Sequence, residues 1–168
     1  QEAIRKVVDI LAYLESGDFS LRLMRWAGTW GEDEHAMELR VLASEAVNRP
    51  GLLTDDLLNW LISDEAVLNW SFFQALGECD LDHCWLSRVE RMGVTKKGVF
   101  AFSAYFAGLS VVDVSFVNCR LNELTEEGVI RGEAIARATV NLPGDLTGVE
   151  RVKKLWNDKK VDIATIEF

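Results

Sequence analysis

The chain opens on a helical stripe: Ile4, Val7, Val8, Leu11 and Leu14 recur at a spacing of three and four, with Glu2, Arg5, Lys6 and Asp9 on the opposite side. The same periodicity, punctuated by turn residues, predicts ten helices, at about 2–15, 20–29, 32–47, 54–62, 64–77, 82–92, 96–109, 113–124, 126–141 and 147–158. Asn48-Arg49-Pro50-Gly51 and Leu142-Pro143-Gly144-Asp145 are the stop-and-turn signals. Helix 96–109 is apolar almost all round (Val99, Phe100, Phe102, Tyr105, Phe106, Leu109), as expected of a helix enclosed between neighbours. Proline is scarce, only Pro50 and Pro143, as in a chain that seldom needs it to break or bend a helix, so the expected class is all-α.

Two short patterns repeat. The first is an apolar residue, then Ser, Thr or Asp, two free positions and two apolar residues: Phe19-Ser20-x-x-Leu23-Met24, Leu53-Thr54-x-x-Leu57-Leu58, Leu81-Asp82-x-x-Trp85-Leu86 and Val112-Asp113-x-x-Phe116-Val117. Ser20, Thr54, Asp82 and Asp113 are the expected N-caps, each with the apolar pair of a hydrophobic staple. A fifth copy at Leu146-Thr147 places Arg151 at the staple position and offers Thr147 with Glu150 as a capping box. The second pattern aligns Ala66–Phe73 with Gly98–Tyr105 and Gly128–Ile135, each preceded by a cap-like run: Ser63-Asp64-Glu65, Thr95-Lys96-Lys97 or Thr125-Glu126-Glu127. The two patterns run in phase, giving a unit of helix, turn, helix, turn about 31 residues long. A single hairpin cannot hide both its faces, so such units are stabilised by stacking.

These repeats resemble the HEAT-repeat class. The resemblance implies a right-handed α-α superhelix of about five antiparallel helix pairs, a solenoid forming a single domain over residues 1–168. It implies a scaffold whose second helices line a concave face that holds a protein or peptide. Positions in phase along those helices form two rows: Asn69, Ala101 and Arg131, and beside them Ser71, Ser103 and Glu133. The expected partner-binding residues are therefore Asn69, Ser71, Ser103, Arg131 and Glu133, with Arg137 placed to pair with Glu133 at i,i+4. Trp26, Trp30 and Trp156 fall outside the repeat phase and are candidates for an exposed recognition surface, and Trp26 and Trp30 are added to the expected binding residues. Some HEAT-like proteins are DNA glycosylases for alkylated bases, which implies an alternative in which Trp26, Trp30 and Glu34 imitate the tryptophans and carboxylate of such a groove.

Charge weighs against that alternative. The net charge of −9 concentrates in residues 51–92, which hold eight acidic and two basic side chains, whereas a nucleic-acid groove depends on cations. A terminal basic cluster, Arg151, Lys153, Lys154, Lys159 and Lys160, reads first as a solvated helix end. Cys79, His83 and Cys84 lack a four-ligand zinc spacing and sit among Glu78, Asp80 and Asp82, an unfavourable setting for a reactive thiolate. No catalytic residue, metal or cofactor is expected. The acidic pairs Asp55-Asp56 and Glu32-Asp33-Glu34 suit helix starts. Trp70 and Trp85 fall in phase with core aromatics and are read as packing.

Three cysteines in 168 residues give no disulfide framework, and with no leader or bilayer-length apolar run in the letters the expected setting is cytoplasmic. The chain begins at Gln1 inside a helical pattern, as a processed chain or a piece of a longer one does. The tail, with Val161, Ile163, Ile166 and Phe168, is either a cap over the last hairpin or the opening of a continuation.

Overall fold

The computed structural model describes residues 17–29 and 33–162, and these are all-helical, without a strand. Eight helices follow one another among the described residues: α1 (Phe19–Ala27), α2 (Asp33–Asn48), α3 (Asp55–Leu61), α4 (Asn69–Cys79), α5 (Leu86–Gly93), α6 (Val99–Glu127), α7 (Gly132–Val140) and α8 (Leu146–Asn157). A 3-10 turn, Pro50–Leu52, follows α2 at the expected stop signal. The expected helix 2–15, Trp30 and the tail beyond Asp162 lie outside the described residues.

Local chemistry accounts for the helix ends, and it shifts several of the expected starts. Thr54 caps α3, accepting from the Leu57 amide. Asp113 accepts from the Phe116 amide at 2.9 Å and has non-helical torsions (φ −143°, ψ 84°). It therefore bends α6 into two arms, residues 99–112 and 114–127, where two separate helices were expected. At α1 and α8 the cap lies two residues earlier than expected: Asp18 accepts from Leu21, and Asp145 accepts from Gly148. A carboxylate at those positions displaces Ser20 and Thr147, whose hydroxyls are weaker acceptors. The second helix of each unit also starts later than expected. Thr125 is not a helix start but lies inside α6, donating to the Leu121 carbonyl. Gly128, in the left-handed region at φ 69°, ends that helix.

The core runs through every helix. Its largest enclosed side chains include Phe72 and Phe73 on α4, Trp85, and Phe102, Tyr105 and Phe106 on α6, each contributing about 1.5–3 kcal/mol by burial. The most extensive packing joins α4 to α6, followed by α7 to α6 and α4 to α2. At the α4–α6 crossing a Cβ on Gly77 would overlap the Tyr105 carbonyl, and one on Gly108 would overlap the Gln74 carbonyl. Two glycines thus bring the backbones into direct contact. α6 is long and apolar enough to cross a bilayer by length and composition alone (29 residues, hydropathy 1.6). Half of that apolar window is buried inside the protein, and Asp113 breaks it.

Polar ties join elements at separations from 12 residues (Arg151 to Thr139) through 23 and 25 (Arg22 to Glu45, Tyr105 to Asp80) to 38 (Arg40 to Glu78), and several lie between 28 and 35. Arg88 donates to the Leu53 carbonyl 35 residues away, and Arg120 forks onto Glu90 30 residues away. Ser103 donates to the Ala134 carbonyl at a separation of 31, and Arg151 donates to Asn122 and Asn118 at 29 and 33. Lys154 pairs with Glu126 at 28.

Replacing Gly77 or Gly108 with alanine should separate α4 from α6 and cost about 2–3 kcal/mol, the scale of overpacking in a close-packed core. Gly144→Ala, with no neighbour within 4 Å, should change stability by less than about 1 kcal/mol. Urea denaturation midpoints of the three variants check this.

Candidate functional site

The described residues contain three built features: a buried carboxylate, a buried guanidinium and a pair of adjoining grooves. The carboxylate is Asp80, at the end of α4 and fully buried. Its Oδ1 accepts from the Cys84 amide at 2.8 Å and from the Cys84 thiol at 3.0 Å. Its Oδ2 accepts from the Trp85 amide at 2.8 Å and from the Tyr105 hydroxyl at 2.7 Å. Asp80, not the expected Asp82, thus collects the amides that open α5, and His83 takes φ 56° to turn the chain around it. His83 in turn stacks on Phe116, with ring centroids 4.0 Å apart.

This constellation of Asp, Cys and Tyr is not set up for nucleophilic chemistry. Burial, followed by the hydrogen bond to Asp80, pushes the Cys84 thiol up to about 12, so the thiolate that would react is suppressed. Burial and the same carboxylate push the Tyr105 phenol up as well. Burial also raises Cys79, against the opposing pull of Arg40. Among the described residues no group of three or more His, Cys, Asp or Glu is placed to hold a metal ion.

The guanidinium is Arg151, only 3% exposed. It was expected in a solvated basic cluster, but its charge is spread over neutral oxygens: Asn122 Oδ1 (2.8 Å), Thr139 Oγ1 (3.0 Å), Asn118 Oδ1 (2.8 Å) and the Asn118 carbonyl (3.1 Å). Desolvation lowers its pKa, and Asp145 opposes that shift. Arg151 joins α6, α7 and α8, which explains why an arginine stands where the repeat has an apolar staple residue.

The expected binding rows do not form a continuous surface. Ser103 is fully buried and donates to the Val99 and Ala134 carbonyls, and Ala101 beside it is 1% exposed, so the middle of both rows is core. Asn69 and Ser71 are half-buried at the start of α4. At the start of α7, Arg131 is exposed and pairs with Glu133 at 3.8 Å. Arg137 lies over the Phe100 ring at 4.5 Å instead of meeting Glu133. Trp26 is half-buried, edge-on to His35 at 4.7 Å with Arg25 over its ring at 4.8 Å. Trp30 and the Glu34 side chain lie outside the described residues.

Of the expected residues, Arg131 and Glu133 line an open groove of about 400 Å³ with Lys160 and Val161; two further grooves are lined by residues that were read differently from the letters. A groove of about 440 Å³ runs across α4, α6 and the end of α7, lined by Trp70, Gln74, Ser110, Val111, Asn141 and Pro143 among others. Trp70, expected in the core, is half-buried at its rim and donates from Nε1 to Gln74 Oε1 at 3.1 Å. Trp85, by contrast, is enclosed as expected. A second groove of about 450 Å³ lies between the α7 end, the 142–144 turn and α8, and shares Leu142 and Pro143 with the first. Trp156, one of the tryptophans out of phase with the repeat, stands 55% exposed at its edge. That lack of repeat phase was the one sequence signal pointing to this groove. Nothing in the spacing marked Trp70. Comparison with known protein families, with curated proteins and with solved structures returns no match to this chain.

Truncating Asp80 to alanine should orphan two amides and a buried hydroxyl and cost about 3 kcal/mol or more, read from chemical denaturation. Stability should also fall as pH rises above about 10, the ordinary phenol value. There the unfolded chain releases the Tyr105 proton while the folded chain retains it. Tyr105→Phe should reduce that alkaline loss without abolishing it, because the raised Cys84 and Cys79 thiols add a loss of the same sign beginning at about pH 8.5, the ordinary thiol value; denaturation midpoints between neutral and alkaline pH measure this.

Proposed function

We propose that this chain is a protein-binding scaffold, a short α-α superhelix of the HEAT-like kind that holds an extended segment of a partner protein in the groove across α4, α6 and α7. The observation that supports the reading is a group of polar ties spanning 28–35 residues, close to the 31-residue repeat in the letters, beside others spanning 12 to 38. Neighbour-to-neighbour packing of that kind is the physics of a solenoid, in which each unit touches the next. The most extensively packed pairs, α4 with α6, α6 with α7 and α2 with α4, include second helices of successive units.

Within this reading the partner surface moves from the enclosed Ser103 row to the adjoining groove. There Trp70 supplies a broad, partly exposed aromatic face, and Gln74, Ser110 and Asn141 supply side chains able to bond a peptide backbone. A half-buried tryptophan at the rim of a polar groove is a typical anchor residue. Free thiols at Cys79, Cys84 and Cys119 support a reducing, cytoplasmic setting as part of the same proposal.

The test is a peptide library displayed on phage and selected on the full chain, with each enriched peptide then measured on Trp70→Ala and Ser110→Arg. Losing an anchor contact should weaken binding at least about tenfold, with unchanged circular dichroism. Enriched peptides that bind both variants as well as the parent would remove this groove from the reading.

A further inference from the structure

The acidic stretch of residues 51–92 holds only two Lys or Arg side chains, Arg88 and Arg91, and both line one groove. The groove, of about 440 Å³, lies between α3 and α5, which are not among the extensively packed helix pairs. Neither guanidinium meets a carboxylate among the described residues, although the stretch offers eight. Several of those carboxylates are engaged elsewhere. Glu78 pairs with Arg40, Glu90 pairs with Arg120, and Glu65 accepts from Trp60. Asp80 is enclosed by the two amides, the thiol and the phenol that donate to it.

Each cation is held in place without being neutralised. Arg88 is half-buried, with its guanidinium 4.9 Å from the centre of the enclosed Trp85 ring and a long hydrogen bond, 3.5 Å, to the Leu53 carbonyl. Arg91 follows at i+3, on the same side of α5, and is exposed, with no hydrogen bond or ion pair among the described residues. Asn59 and Thr95 stand beside them, and Leu58, Ile62 and Met92, which pack on the core, add an apolar wall. The one acid in the groove is Asp55, in the first turn of α3, where the helix dipole favours it. Two cations against one acid leave the groove a net charge of +1. One carboxylate neutralises that charge, whereas a phosphate group, at about −1.5 to −2, overshoots it. The apolar wall suits a hydrophobic group next to the carboxylate, and Asp55 suits an N–H donor. A stretch of polypeptide supplies all three: an acidic side chain, an apolar side chain two positions away on the same side of an extended chain, and backbone amides.

We infer that this groove binds an acidic, extended segment of a partner protein, with an Asp or Glu on Arg88 and Arg91 and an apolar residue two positions from it against Leu58, Ile62 and Met92. The site lies on α3 and α5, apart from the Trp70 groove on α4, α6 and α7, and stands independently of it.

The experiment passes labelled pools of synthetic peptides over the immobilised full chain and reads the retained fraction. The peptides are about nine residues long, roughly 30 Å when extended. Each pool is degenerate except for a fixed Leu and, two residues on, a fixed Glu, Gln or phosphoserine; a fourth pool keeps the Glu and has Ser in place of the Leu. The Glu pool should be retained about tenfold more than the Gln pool, because a carboxylate between two guanidiniums makes charge-assisted hydrogen bonds that an amide does not. That order is a demanding one, since the net charge of −9 disfavours acidic peptides over the rest of the surface. Arg91→Gln should cut retention of the Glu pool at least about threefold, the scale of a partly exposed ion pair. It should leave circular dichroism and the denaturation midpoint unchanged, because Arg91 is exposed and has no bond to lose. Trp70→Ala should leave retention of the Glu pool unchanged, which separates this groove from the proposed peptide groove. The inference is overturned if the Glu and Gln pools are retained equally, if Arg91→Gln retains the Glu pool as the parent does, or if exchanging Leu for Ser changes nothing. Retention of the phosphoserine pool above the Glu pool would also overturn it, because the groove would then read phosphate.

Discussion

The backbones of α4 and α6 meet where neither carries a side chain, at Gly77 and Gly108, and the rest of the middle of the molecule is arranged around that contact. Close approach brings Tyr105, one turn from the crossing, within 2.7 Å of the Asp80 carboxylate just beyond the end of α4. That carboxylate in turn gathers the amides of Cys84 and Trp85 and so decides where α5 begins. A buried charge without a cation is tolerable only when every lone pair is occupied, and here two amides, a thiol and a phenol do so. The same arrangement suppresses the chemistry that an Asp, Cys and Tyr cluster might otherwise offer, because each donor is held in its protonated form.

Away from this centre the helices are joined by arginines that reach one unit along the chain. Arg120 forks onto Glu90 at 2.7 and 3.0 Å, and Arg151 spans α6, α7 and α8. The two achieve this differently. Arg120 is charge-compensated at a partly exposed site, where Glu90, Glu123 and Glu127 raise its pKa. Arg151 is desolvated, which lowers its pKa, and is bonded to neutral oxygens, with the Asp145 charge opposing the shift. Open grooves lie across α4, α6 and the end of α7, and between α7 and α8.

Much of this was legible in the letters because it depends on spacing along the chain. Helical period, turn residues and the 31-residue repeat each reflect a local preference, and every predicted helix that falls among the described residues has its counterpart. Thr54 and Asp113 cap as read. The caps at Asp18 and Asp145, and the role of Asp80, were missed because each lies two residues before a plausible hydroxyl or carboxylate. Which acceptor reaches the amides is decided by the incoming chain direction, and local sequence leaves that open. Ser103 proved to be core, and Trp70 packs on the core as read but only half-buried, for a related reason: repeat phase gives a position within a helix but not how deeply its neighbours bury it.

The sequence by itself determined that the described part of this protein is made of helices, since backbone hydrogen bonding and amphipathic period are settled within a few turns. Only the tertiary structure decided which faces are enclosed. Exposure depends on how near the next helix comes, and that distance is set at points such as Gly77 and Gly108 by atoms some thirty residues away.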